Sequence, residues 1–133
     1  MALVVDASMV VAWFVIGQAT AHTRKVLTRA GSEVLHAPPL LQIELASALV
    51  KLAHRRKIKP AAIGDILTAF EGLDLVTDRT PPTARAIAST CRRYALSAYD
   101  AAYFELAMRL DLPLAAKDGP LVEAARKAGI AFA

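Results

Sequence analysis

Apolar positions along the chain follow two periods. Ala2–Val5 is a short unbroken apolar run, the pattern of a strand covered on both faces. It ends at Asp6-Ala7-Ser8, and residues 9–15 continue as a helix. Gly17 and Gln18 interrupt it. Residues 20–30 predict a second helix, polar through His22, Arg24, Lys25 and Arg29 and closed by Gly31, so the two form a helical hairpin. Residues 33–37 predict a second strand. Pro38-Pro39 then opens a longer helix over about 40–55, whose apolar stripe is Leu41, Leu45, Ala48, Leu49 and Leu52. A helix over 60–70 ends at Gly72, residues 73–77 predict a strand, and Pro81-Pro82 opens a helix to about residue 93. Tyr103, Leu106, Ala107 and Leu110 repeat at the spacing of one helical face. Residues 112–116 read as a strand, 120–127 as a helix stopped by Gly129, and 130–132 as a last edge strand. Strands alternating with helices predict an α/β fold with a parallel sheet flanked by helices, in one domain spanning 1–133.

Composition narrows the class. The chain is 56% hydrophobic, yet its longest apolar run, from Met9 to Ile16, is far short of the roughly 20 residues of a membrane span. No basic segment opens the chain and Asp6 interrupts any signal-like stretch, so a cytoplasmic protein is expected, without a membrane partner. The surplus apolar content is expected to serve a core plus a partner or dimer surface. Cys91 is alone, which fits a reducing compartment and excludes an internal disulfide and a zinc–thiolate site. A net charge of +4 favours an acidic partner such as nucleic acid.

Four acids stand in unusual places. Asp6 and Asp118 each follow the C-terminal end of a predicted strand, where open α/β sheets carry ligand-binding groups. Asp100 heads the apolar face of its helix. Its helical neighbours Leu96, Ser97, Tyr103 and Phe104 include no cation. Glu44 lies inside an apolar stripe, with Leu40, Leu41, Ser47 and Ala48 around it and no free helix-end amide to bond. Simpler roles exist for each. Asp6 and Asp118 can cap the helices that follow, Ser97 and Asp100 fit a capping box, and Glu44 can lean to the edge of its stripe. A parallel sheet with helices on both sides can nevertheless bring all four together at its C-terminal edge. Carboxylates so gathered repel unless a hard cation joins them, and oxygen ligands select Mg2+ or Mn2+ over zinc. Such a site suits attack of water on a phosphodiester. If four of the twelve acids serve a metal, the sixteen Lys and Arg leave a more basic surface than +4 suggests. The densest basic run, Arg55, Arg56 and Lys57, and the pair Arg92 and Arg93 are the candidates to hold RNA phosphates. They also suit helix C-termini, where cations are ordinary.

The chain resembles the PIN-domain ribonucleases, most closely the VapC toxins of toxin–antitoxin pairs. The likeness rests on Val4-Val5-Asp6-Ala7-Ser8, Ile43-Glu44-Leu45-Ala46-Ser47-Ala48-Leu49, Tyr99-Asp100-Ala101-Ala102-Tyr103 and Leu114-Ala115-Ala116-Lys117-Asp118, in that order. It implies a PIN-like three-layer α/β/α fold and an endoribonuclease dependent on Mg2+ or Mn2+. Asp6, Glu44, Asp100 and Asp118 would be catalytic, with Asp6, Asp100 and Asp118 on the metal and the Ser8 hydroxyl beside it. It also implies a homodimer inhibited by a cognate antitoxin protein, as in type II pairs. Two positions depart from the family pattern. Ala116 stands where Thr or Ser is common, and Ser47 where Asn is common. Ala116 also supports a competing expectation, a catalytically weak or inactive PIN-fold module that binds RNA or protein. A haloacid-dehalogenase-like phosphatase would need a second Asp at position 8, where Ser8 stands.

Overall fold

The computed structural model describes residues 2–117 and 119–130. Four parallel strands, β1 (Ala2–Val5), β2 (Val34–Ala37), β3 (Leu75–Thr77) and β4 (Leu114–Ala115), lie in the order β3-β2-β1-β4. Helices α1 (Ala7–Phe14), α2 (Ala21–Ala30), α3 (Leu40–His54), α4 (Ala62–Glu71), α5 (Ala84–Tyr94), α6 (Ala98–Leu110) and α7 (Pro120–Ala128) flank them. This is the predicted PIN-like α/β/α architecture.

The centre is β1, paired with β2 on one side and β4 on the other. Leu3, Val4 and Val5 have no exposed surface, as an apolar run covered on both faces requires. The chain steps outward through β2 to β3 and then returns to the other side of β1 for β4. That reversal places a crevice at the C-terminal ends of β1 and β4. The Asp6 amide donates to the Ala115 carbonyl at 3.1 Å, fixing the end of β1 against the end of β4.

Several boundaries differ from the sequence pattern for local reasons. α1 begins at Ala7, two residues early, because Asp6 caps it by accepting from the Met9 amide. β4 is shortened to Leu114–Ala115, since Pro113 has no N–H to give a ladder and contributes only its carbonyl, to Val4 at 2.9 Å. α5 begins at Ala84, not at the proline pair, with Thr83 Oγ1 accepting from the Ala86 amide. α4 starts at Ala62. Leu110, expected on the buried face of α6, is 39% exposed, because Phe104 and Ala101 complete that face instead. The edge strand expected at 130–132 falls largely outside the described residues. Ile130 belongs to no strand, and its amide closes the α7 C-terminus on Ala125, with Gly129 at φ +72°.

The α1–α2 hairpin is present, with Trp13 Nε1 donating to the Thr23 carbonyl at 3.1 Å. Arg109 of α6 reaches Asp78, just past β3, at 2.6 Å and Glu105 at 2.6 Å. This network ties the β3 end to α6 and holds the Asp78 carboxyl below its usual range.

Candidate active site

Asp6 emerges from the central strand into the crevice and is 8% exposed. Its carboxylate accepts from the Ser8 hydroxyl at 2.8 and 2.9 Å, and from the Met9 amide at 2.9 Å. Asp6 therefore does cap α1, but the cap does not exhaust it. Burial pushes its pKa up to about 6, against the lowering effect of those two bonds, and the nearby negative charges of Asp100 and Glu44 raise it further. Those last two influences show that the acids of β1, α3 and α6 share one electrostatic neighbourhood. Asp100, half-buried at the head of α6, is also held above its usual range by burial. Ser97 caps α6 by accepting from the Asp100 amide at 3.2 Å; the reciprocal half of a capping box is absent among the described residues.

Glu44 finds its partner far away in sequence. The Tyr103 hydroxyl, on a side chain 1% exposed, donates to Glu44 Oε1 at 2.6 Å. The Tyr103 pKa is raised, first by burial and then by the bond to Glu44, so the phenol stays protonated and acts as a donor. Tyr103 thus crosses from α6 to α3 and fixes the Glu44 carboxylate, a function its place in an apolar stripe does not announce.

Ser8 links two strand ends. Its hydroxyl serves Asp6 and accepts from the Lys117 amide at 3.3 Å. Ala116, where the family pattern favours a hydroxyl, is 3% exposed. Asp118 lies outside the described residues.

The donor chemistry fits a hard cation: oxygen only, buried at Asp6 and partly buried at Asp100 and Glu44, and without a cationic partner. None of the ion pairs among the described residues involves Asp6, Glu44 or Asp100. Yet no three acids, histidines or cysteines among the described residues stand close enough to enclose a metal. Asp6 and Asp100 face the same crevice as carboxylates without a cationic partner among the described residues.

A groove of about 660 Å³ runs beside these acids, lined by α1, α3, the first turn of α6 and the tip of β4. Glu44, Ser8, Tyr99, Lys51 and Lys117 all face it. Lys51 and Lys117 did not stand out in the sequence. The signal for Lys51 was its position seven residues after Glu44, two turns on along one face. The basic residues singled out earlier lie elsewhere. Arg56 and Lys57 flank a separate recess past the end of α3, and Arg55 is exposed beside them. Arg92 and Arg93 line another on α5 with Arg85, and Arg93 sits 5.4 Å over the Tyr94 ring.

Among the described residues, no helix is long and apolar enough to cross a membrane. In comparison with known proteins, no curated protein matches the chain. Among solved structures, the chain is similar to PAE2754 from Pyrobaculum aerophilum, with a TM-score of 0.69 at 22% identity over 93% of this chain and 79% of that one. It also aligns with a PilT N-terminus domain protein, SSO1118 from Sulfolobus solfataricus P2, with a TM-score of 0.45 at 16% identity over 100% of this chain and 86% of that one. The first likeness agrees with the parallel sheet and its flanking helices. The model of the PIN domain matches residues 3–127, from the core of β1 to the last turn of α7. The chain belongs to the PIN-domain family, whose fold is a nuclease fold.

Proposed function

We propose that the protein is an endoribonuclease dependent on Mg2+ or Mn2+, and the toxin of a type II toxin–antitoxin pair. One observation supports this most: a buried carboxylate at the sheet's switch point, Asp6, is kept without a cationic partner while two further acids bear on it. Asp6, Asp100 and Asp118 would hold the metal. Bound there, a divalent ion would activate water and neutralise charge developing on the phosphodiester. The protein's own groups prepare that chemistry. Ser8 and the Met9 amide orient Asp6, and Tyr103 holds Glu44 where it can direct a proton. Arg55, Arg56 and Lys57, with Arg92 and Arg93, would supply salt-dependent grip on RNA phosphates. A cytoplasmic homodimer inhibited by a cognate antitoxin completes the proposal.

A non-catalytic module that binds RNA or protein is the competing function. The buried Ala116 and the absence of a three-ligand group among the described residues favour it. Cleavage of generic RNA with and without Mg2+ or Mn2+ separates the two. The wild type is expected to cleave only with metal, and Asp6→Ala, Glu44→Ala and Asp100→Ala each to abolish cleavage. Full activity in Glu44→Ala would contradict the four-acid arrangement.

A further inference from the structure

The groove beside the acids contains groups that the acids do not explain. Tyr99 is 61% exposed and Ile43 71% exposed, and they immediately precede Asp100 and Glu44. Apolar side chains left in water at such positions contribute nothing to the core. Lys51 on α3 and Lys117 at the tip of β4 face the same groove, and neither is in an ion pair among the described residues. The groove follows α3 from Leu40 to Leu52, a rise of about 18 Å, enough for on the order of five stacked nucleotides.

An open aromatic ring in one groove with two ammonium groups matches a single-stranded nucleic acid. Every base offers a π-face to stack, and every linkage offers a phosphate to a lysine. A duplex keeps its base faces inside its own stack and cannot use the ring. An apolar peptide would cover Ile43 and Tyr99 but would leave both lysines without a counter-charge. We propose that Tyr99 is a base-stacking platform, and that Lys51 and Lys117 hold flanking phosphates of a single-stranded RNA lying in this groove. The assignment rests on the ribonuclease function proposed above, and it adds the residues of this chain that position the strand. Because Tyr99 and Asp100 are consecutive in α6, a base stacked on the ring belongs to a nucleotide close to the acids.

The test is polarisation of a short labelled RNA, single-stranded and as its duplex, with the intact protein in chelator, beside a cleavage assay in Mg2+ or Mn2+. The wild type is expected to bind the single strand more tightly than the duplex. Tyr99→Ala should weaken single-strand binding by about tenfold, within the range for loss of one stacked base. Tyr99→Trp should retain affinity and Tyr99→Leu should not, since leucine keeps apolar area without a π-face. Lys51→Gln with Lys117→Gln should reduce the slope of log affinity against log salt by about 1.4. The assignment is overturned if the wild type fails to bind the single strand, if Tyr99→Leu binds as well as Tyr99→Trp, or if the lysine pair leaves the slope unchanged. An apolar peptide that occupies the groove without displacing the RNA also overturns it. Binding that responds to these variants without any cleavage would support the groove and reject the nuclease function. Cleavage with an unchanged KM in all of them would do the reverse.

Discussion

Asp6 does two things at once. It caps α1, a local role visible in the sequence, and it keeps a desolvated charge at the strand end, which only the packed sheet creates. Its pKa is about 6 in the folded chain against 3.8 when unfolded, so the native state binds a proton more tightly than the unfolded state. Stability from this group is therefore greatest in acid and falls as pH rises from 3.8 through 6. In chelated protein, wild type should gain about 1 kcal/mol relative to Asp6→Asn between about pH 8 and about pH 5, read by urea denaturation. A wild-type-minus-variant difference that stays constant over that range would show that Asp6 is not strained by burial. Glu44 carried a comparable signal, an acid in an apolar stripe with no local partner. Its true partner, Tyr103, could not be read from spacing, since it lies 59 residues away on another helix. A tyrosine at a core period looks the same whether its hydroxyl is buried idle or bonded.

At the scale of elements, the sequence pattern located the described strands and α-helices but not the 3-10 turn at Ile16–Gln18, while the ends were decided by single groups. Pro113 shortened β4, and Thr83 set the start of α5 two residues past the prolines. The turn from α5 to α6 is a place where local strain bears on the site. Ala95 caps α5 in the left-handed region at φ +55°, and three residues later α6 begins, with Asp100 in its first turn. A Cβ in that region costs about 1–2 kcal/mol, partly offset in a glycine by the extra freedom of its unfolded chain. Ala95→Gly is therefore expected to stabilise the fold by about 0.5–1 kcal/mol in urea denaturation. A loss of stability would mean that the alanine methyl makes a contact worth more than the strain. The Tyr94 and Phe104 rings, 4.4 Å apart, should keep α5 against α6 in either case.

For the whole molecule, hydrophobic pattern predicted a parallel sheet flanked by helices, and the four short motifs predicted the family. Strand order was not legible in the pattern, because a short apolar strand such as β4 looks alike at an edge or in the centre. Once the order β3-β2-β1-β4 is known, Asp6 at the switch point follows from topology, and Asp100 and Glu44 join it through helices that start near that end. The basic residues were the reverse case. Their clusters are obvious in the sequence, yet the groove beside the acids takes Lys51 and Lys117, which stand singly and are brought together only by folding. The nuclease function proposed above depends on Asp6 and Asp100 taking up a divalent cation. Its most direct test is thermal melting of the wild type and Asp6→Asn across an Mg2+ and Mn2+ series up to millimolar. A cation that binds only the folded state should stabilise the wild type by about 2.7 kcal/mol at a hundred times its Kd, and Asp6→Asn should lose that response while still folding. A wild-type melting temperature indifferent to both metals would contradict the account.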